Sequence, residues 1–342
     1  MGFSAPTIRV EDWLEHWLTE VLPGTVRPST LALYTSITRN HLIPGLGRLW
    51  LNKLSQQDIR TFLRGKQSAR RLSAAKHGAP KTLSPRTVQY LHTVLRRALE
   101  QACQEDVLAR NVAKLVPAPS APAKRVDPID GNDARRLLET ARGDRLYAAY
   151  VVALTLRLRR GELLALRWSA IDFDKNVMHI VSNLQRINGT LHFGPPKAGD
   201  RTIPLPAITC TALQGHRERQ RQDRKEVKTW AEPDLVFTTN TGRPIEPRNF
   251  YRSFQGLCRR ASVREIGPHG LRHACATLLG EMGTDPRVIS EILGHTDPGF
   301  TLRVYRHVLP LSTRDAASRM DAMFGGNAGD TTGNRKEGGD HA

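Results

Sequence analysis

A segment rich in proline and alanine, VPAPSAPAKRVD at residues 116–127, constrains the fold of this chain more than any other feature. Proline fixes φ and removes an amide donor, so such a segment is extended and builds no core. The 342 residues are also too many for one average domain of about 150 residues. We therefore expect two domains. The chain then divides into a short tail (1–6), a helical domain (7–116), a linker (117–128), a second domain (129–324) and a disordered tail (325–342).

Apolar residues in the first domain recur at helical spacing. From Val10 to Val21 they fall at intervals of three and four residues, and Pro28-Ser29-Thr30 is a typical helix start. The basic stretch 66–81 is weakly periodic, which predicts a loop that is either simply solvated or close to a phosphate backbone. The predicted helices cover residues 10–21, 28–43, 56–63 and 84–103.

The second domain changes period along its length. Helical patterns at 132–141, 145–156 and 161–167 give way to alternation at 176–183 and 185–193, with the turn dipeptide Asn188-Gly189, and then to a third strand at 201–205. Helical spacing returns after residue 245. The predicted fold class is therefore α+β, with a helical N-terminal domain and a mixed, mainly helical second domain around a small antiparallel sheet.

The formal net charge of +18 favours a polyanionic partner. Nucleic acid, ribosomal RNA and an anionic membrane surface all fit that charge. No run approaches the roughly 18 apolar residues of a membrane span, and residues 1–10 lack the apolar core of a secretion signal, so we expect a cytoplasmic protein without a membrane partner. The four cysteines stand singly, which predicts buried free thiols and no zinc site.

The segment GPHGLRHA at residues 267–274 opens a predicted helix. His269 and Arg272 are three residues apart in it, so that a cation and an acid/base group share one helix face. A surface His and Arg at this spacing are more often simply solvated.

Three further segments carry four more candidate residues. Gly294 ends a predicted helix and presents His295, and Tyr305 follows within a short helical run. Arg159 precedes Glu162 by three at a helix start, and Lys197 lies at a predicted hairpin tip. Each is ordinary by itself, since a tyrosine can fill a core and a turn lysine is usually solvated. Their occurrence together, in one order, in a basic chain is not ordinary.

With these four segments the chain resembles the tyrosine recombinases, or phage integrases, over nearly its whole length. The resemblance implies an α-helical DNA clamp, the core-binding domain, joined to a mixed catalytic domain. It also implies DNA strand cleavage and rejoining. The catalytic residues carried over from the family are Arg159, Lys197, His269, Arg272, His295 and the nucleophile Tyr305.

These residue types suit the implied reaction. A phenol has a pKa of about 10 and is an activatable nucleophile, so Tyr305 fits attack on phosphorus. Two arginines hold the phosphate oxygens through bidentate hydrogen bonds, and His295 adds another. Lys197 fits the general acid at the 5′ oxygen, with His269 assisting proton transfer at the tyrosine. The 3′-phosphotyrosine stores the bond energy, so neither a cofactor nor a metal is expected.

The resemblance also implies partners. They are double-stranded DNA attachment sites, three further copies of the chain in a homotetramer on DNA, and accessory DNA-bending or directionality factors. A predicted helix at 312–324 either docks on a neighbouring subunit or packs within its own domain. Many phage integrases carry an arm-binding domain before the helical clamp, and residues 1–6 are too few to form one. Either this protein uses simple DNA sites, or its natural chain has a further N-terminal segment.

One departure from the family pattern bears on activity. The family usually has Thr-Gly, with the glycine two residues before the first catalytic arginine, where this chain has Leu156-Arg157. Arg157 predicts either reduced activity or a repacked turn. Alternatives to a recombinase are a noncatalytic DNA-binding protein with the same fold, a monomeric type IB topoisomerase-like enzyme that nicks and reseals DNA, and a general RNA- or ribosome-binding protein.

Overall fold

The computed structural model describes residues 8–68, 83–120 and 129–267, together with Gly270, Ala274, Cys275 and Leu279. The chain divides into two compact units. The first comprises Met1–Asp127 and Leu184–Gly194, and the second comprises Pro128–Asn183 and Pro195–Ala342.

Most helices of the first unit lie where the apolar spacing predicts them, but a short helix at Ile43–Leu46 occupies the predicted end of the second helix and the residues beyond it. Two of them continue as single π-helical turns, Trp17–Val21 after the first and Thr38–Leu42 after the second. The fourth helix runs through Lys66 to Ser68, so the predicted start of a loop at Lys66 is wrong by one helical turn. The helices are α1 (Val10–His16), α2 (Pro28–Ile37), α3 (Ile43–Leu46), α4 (Gln56–Ser68) and α5 (Pro85–Gln104).

Helix α5 forms the centre of the first unit's core. Ser84 caps its start by accepting a hydrogen bond from the Thr87 amide, and Pro85 occupies the first helical position. Its apolar face is fully buried, and the indole nitrogen of Trp13 donates to the Ala98 carbonyl at 2.9 Å. The indole nitrogen that enters this core is thus paired, as burial requires.

The second unit mixes helices with short strands. Its helices are α6 (Gly131–Thr140), α7 (Tyr147–Thr155), α8 (Arg160–Leu164), α9 (Ala207–Glu226) and α10 (Pro247–Arg260). Its strands are β1 (Ile171–Asp172), β2 (Val177–Ile180) and β5 (Arg201–Pro204). The remaining strands, β3 (Asn183–Ile187) and β4 (Thr190–Gly194), lie between β2 and β5 in sequence, but from Leu184 onward they belong to the first unit.

The strands form two separate antiparallel arrangements, where the sequence predicted one sheet. The order in the first is β1-β2-β5, with Met178 opposite Ile203, while β3 and β4 make a two-stranded hairpin of their own. Asn188 and Gly189 both have positive φ, 47° and 86°, so the predicted turn is confirmed. The predicted strand 176–183 is wrong at its end, because the chain leaves β2 at the half-exposed Val181.

Helix α7 is apolar on all sides and lies at the centre of the second unit. Its residues Ala148 to Leu154 are all buried, and it packs against α6, α8 and α9. A helix without a polar face belongs in a protein core. Among the described residues, no helix is both long enough and apolar enough to cross a membrane.

The cysteines are free thiols in the described part of the chain. Cys210, Cys258 and Cys275 are buried as expected. Cys103 is only partly buried, because it lies at the end of α5, next to the exposed residues Gln104 and Glu105. The expectation of burial was therefore wrong for Cys103.

Between α7 and α8 the backbone makes a turn that few side chains tolerate. Arg157 has φ of 52°, in the left-handed region, and only 1% of the residue is exposed. A non-glycine residue there costs roughly 1–2 kcal/mol. Glycine, which the resemblance leads us to expect at this position, adopts such a φ freely, and here an arginine adopts it.

Two variants separate the backbone strain at Arg157 from the loss of its side chain. Arg157→Gly and Arg157→Ala both remove the buried side chain, but only alanine retains the strain at positive φ. We expect Arg157→Ala to unfold with a free energy about 1 kcal/mol lower than Arg157→Gly. Urea unfolding of both variants measures the difference. Equal stabilities would contradict a strained turn.

His216 on α9 makes a second stability prediction. Burial lowers the pKa of His216 to about 4, although the hydrogen bond to the Val236 carbonyl at 2.7 Å opposes this. The unfolded chain binds the proton near pH 6.5, so folding stability is complete above that pH and falls as the pH drops toward 4. We expect a loss of up to about 3 kcal/mol over that range. The profile of unfolding free energy against pH should be flatter for His216→Gln, and an unchanged slope would contradict the assignment.

Candidate active site

Of the six predicted catalytic residues, the structure describes Arg159 and Lys197. The other four, His269, Arg272, His295 and Tyr305, lie outside the described residues, as does the predicted helix at 312–324. Arg159 and Lys197 both belong to the second unit.

Arg159 stands at the N-cap of α8. Its backbone is extended there (φ −65°, ψ 147°), and its amide donates to Glu162 Oε2 at 3.0 Å, within the first turn of the helix. Its guanidinium Nη1 donates to Glu162 Oε1 at 2.9 Å, and 30% of the side chain is exposed. A carboxylate at the third helical position satisfies amides that a helix start leaves unpaired. Glu162 therefore fixes both the backbone and the side chain of Arg159.

The neighbouring arginines differ from Arg159 in exposure. Arg157 is buried, and Arg160 is exposed at the first residue of α8. Arg159 lies between these extremes, anchored through Nη1 and open to solvent over part of its surface. Within the described residues, Nε and Nη2 of Arg159 have no partner and are available as donors to an anion.

Glu162 is the buried centre of a three-residue charge cluster. Its side chain has no exposed surface, and both of its oxygens accept from a second guanidinium, that of Arg201. Arg201 Nη2 lies 2.7 Å from Oε2 and Nη1 lies 3.3 Å from Oε1. Burial of a carboxylate is costly unless it is paired, and here two arginines pair it.

The charge balance at Glu162 favours its ionised form. Burial acts to raise the pKa of Glu162, but the hydrogen bonds from Arg201 and Arg159 outweigh it and hold the pKa below its usual value. The cluster therefore carries one negative and two positive charges near neutral pH. Its net charge of +1 would attract a phosphate.

Lys197 lies in a turn between β4 and β5, so its predicted place at a hairpin tip is wrong. The hairpin tip is Asn188-Gly189, while Lys197 is exposed in a separate turn in which Gly199 (φ 77°) donates its amide to the Pro196 carbonyl at 3.3 Å. Alternation alone cannot show which of two turns closes a hairpin. Four residues after Lys197 the chain enters β5 at Arg201, so their Cα atoms are no more than about 14 Å apart.

Sequence reasoning used Glu162 only to set the register of Arg159 and missed Arg201. An acid directly before two leucines, in the first turn of a predicted helix, was the available signal, because a buried carboxylate requires cationic partners. Nothing local pointed to Arg201 as one of them, since it is 39 residues away. In the described part of the chain, no group of three or more His, Cys, Asp or Glu side chains is placed to hold a metal ion.

Comparison with known proteins places both halves of the chain in one family. The model of the phage integrase family matches residues 128–311. The model of the phage integrase N-terminal SAM-like domain matches residues 9–66. The first match covers more than half of the chain.

Relatives and solved structures agree with these matches. An integrase of Streptomyces ambofaciens is 30% identical over 94% of this chain and 82% of its own length, and one of Saccharopolyspora erythraea is 27% identical over 93% and 83%. The Tn1549 transposon integrase in complex with a circular intermediate DNA has a TM-score of 0.73 at 21% identity, covering 93% of this chain and all of that one. A lambda integrase tetramer bound to a Holliday junction has a TM-score of 0.63 at 16% identity, covering 87% and 78%. The chain belongs to the phage integrase family of tyrosine recombinases, which break and rejoin DNA strands at specific sites.

Proposed function

We propose that this recombinase integrates or excises a mobile element by cleaving double-stranded attachment-site DNA with Tyr305 as nucleophile. Arg159, Arg272 and His295 hold the scissile phosphate, while Lys197 and His269 move protons. The observation that carries the proposal is the presentation of Arg159 at the α8 N-cap, with Nη1 on a buried carboxylate and two donor nitrogens left for an anion.

The proposed step is a transesterification. The Tyr305 oxygen attacks phosphorus, the bond from phosphorus to the 5′ oxygen breaks, and the phenol proton leaves with the help of His269. Lys197 protonates the departing 5′ oxygen. A 5′ hydroxyl then attacks the phosphotyrosine in the reverse reaction, which rejoins the strand and restores the phenol.

Charge stabilisation by arginine suits this step. The nonbridging oxygens gain negative charge in the transition state, and a guanidinium stays ionised throughout. The net positive cluster at Arg159 is held in place before DNA arrives, so little reorganisation is needed when charge develops.

The helical domain, which we place at residues 7–116, is proposed to clamp DNA against the catalytic domain, placed at 129–324. The match of the N-terminal SAM-like domain to residues 9–66 supports this division. Because the lambda integrase relative is a tetramer on a Holliday junction, we extend a homotetramer on DNA to this chain. Since its proposed substrate is DNA, we propose that the protein works in the bacterial cytoplasm, at the nucleoid, with accessory DNA-bending or directionality factors as further partners.

Covalent capture tests the nucleophile. Nicked duplexes, labelled in the DNA and tiled across the sequence that flanks the gene, are incubated with the protein and resolved on a denaturing gel. We expect labelled protein from the intact chain and none from Tyr305→Phe, because only the phenol forms the phosphotyrosine. A gel-shift assay with Tyr305→Phe checks that DNA binding is retained.

The same assay separates the alternatives. DNA binding without labelled protein from any duplex would overturn the catalytic proposal and favour a binding-only role. Cleavage and resealing by a monomer, without pairing of two sites, would favour a topoisomerase-like enzyme.

The role of Lys197 has its own test, which uses a sulfur atom in place of the 5′ bridging oxygen. A thiol leaves without protonation far more readily than an alcohol, so a missing general acid matters less. We expect Lys197→Ala to cleave the normal duplex about 10²–10⁴-fold more slowly and the sulfur-containing duplex at nearly the rate of the unmodified protein. An equal loss on both duplexes would contradict the general-acid role.

A further inference from the structure

We infer that Arg201 is a positioning residue for the proposed phosphate clamp: it holds and neutralises Glu162, so that Arg159 keeps its orientation and its positive charge for the scissile phosphate. The inference rests on the proposed function, and it assigns Arg201 no contact with DNA. It is carried by three side chains of the second unit, Arg159, Glu162 and Arg201.

Hydrogen bonds to Glu162 link Arg201 to Arg159. Arg201 directs Nη1 and Nη2 to the two oxygens of Glu162, and Arg159 shares Oε1 through its own Nη1. Two-point contact between a guanidinium and a carboxylate fixes the plane of the carboxylate, which a single hydrogen bond does not. The direction of the Arg159 guanidinium therefore depends on Arg201 through Glu162.

Arg201 also balances the negative charge of Glu162. Arg159 and Glu162 by themselves form a neutral pair, and a buried carboxylate 2.9 Å from the clamp would repel an incoming phosphate. Arg201 supplies the compensating charge, with its Nη2 2.7 Å from Glu162 Oε2. The same carboxylate can then orient Arg159 without cancelling its attraction for DNA.

The β-sheet holds Arg201 in place. Arg201 is the first residue of β5 and lies opposite Ile180 of β2 in the antiparallel register, and 20% of its side chain is exposed. The sheet thus sets its position. Since both of its Nη atoms are engaged with Glu162, Arg201 is committed to this structural contact, in contrast to Arg159.

The test compares three variants in the covalent-capture assay at saturating DNA. Arg201→Gln keeps a hydrogen-bond donor but loses the charge, and Arg201→Lys keeps the charge but loses the two-point contact. Arg221→Gln is the control for net charge, because Arg221 is exposed on α9 and, among the described residues, pairs with the exposed Glu218 alone. We expect cleavage to slow about 10²-fold in Arg201→Gln, as for a misplaced catalytic group, with partial recovery in Arg201→Lys and no change in Arg221→Gln.

DNA affinity distinguishes positioning from general loss of binding. We expect the dissociation constant of Arg201→Gln to stay within a few-fold of that of Arg221→Gln, while its cleavage rate falls. The thermal unfolding of each variant is also measured, to show whether the variant folds. If Arg201→Gln does not fold, the slower cleavage expected of Arg201→Lys carries the test. Cleavage at the rate of the unaltered protein by the variants that fold would overturn the inference.

The sulfur-containing duplex separates an effect on Arg159 from one on the Lys197 turn, which precedes Arg201 by four residues. If Arg201 acts through the phosphate clamp, its loss slows cleavage of both duplexes alike. Recovery on the sulfur duplex, as expected for Lys197→Ala, would show that Arg201 acts through Lys197 and would overturn the inference.

A double-mutant cycle with Glu162→Gln tests whether Arg201 acts through Glu162. We expect Arg201→Gln to add little to the loss already caused by Glu162→Gln, since coupled residues are not additive. Additive losses would overturn the inference. If the unaltered protein forms no covalent complex with any duplex, the proposed function fails; if it cleaves and Arg201→Gln cleaves equally well, only the role of Arg201 fails.

Discussion

The carboxylate of Glu162, buried between two guanidiniums, is the interaction on which the described half of the active site depends. It caps the first turn of α8, holds the Arg159 side chain, and ties that helix start to the strand β5 through Arg201. A carboxylate without exposed surface is tolerated only with such partners. The stability of the fold and the orientation of a proposed catalytic group therefore rest on the same contacts.

Local patterns in the sequence predicted the parts of the fold that local physics determines. Apolar spacing located α5, and the dipeptide Asn188-Gly189 located a turn in which both residues have positive φ. Alternation did not show that β3 and β4 leave the sheet of β1, β2 and β5, because strand partners are chosen over long sequence distances. The misplacement of Lys197 at a hairpin tip has the same cause.

The sequence predicted the candidate active site only in part, as it did the fold. Family resemblance supplied Arg159 and Lys197 as candidates, but the partner that completes the charge cluster, Arg201, lies 39 residues beyond Glu162. Arg157 shows the reverse situation, in which the sequence marks the position as unusual but only the structure gives its positive φ. The turn before α8 keeps the left-handed conformation that suits glycine, and Arg159 still emerges at the N-cap.

In the proposed reaction, Tyr305 of this chain becomes covalently joined to DNA. The most direct test of this step is mass spectrometry of the trapped protein–DNA complex after digestion by nuclease and protease. We predict that the peptide containing Tyr305 carries a nucleotide linked through a 3′ phosphate to the phenolic oxygen. A nucleotide on any other residue, or an unmodified Tyr305 peptide from a complex that is covalent on a denaturing gel, would contradict the account.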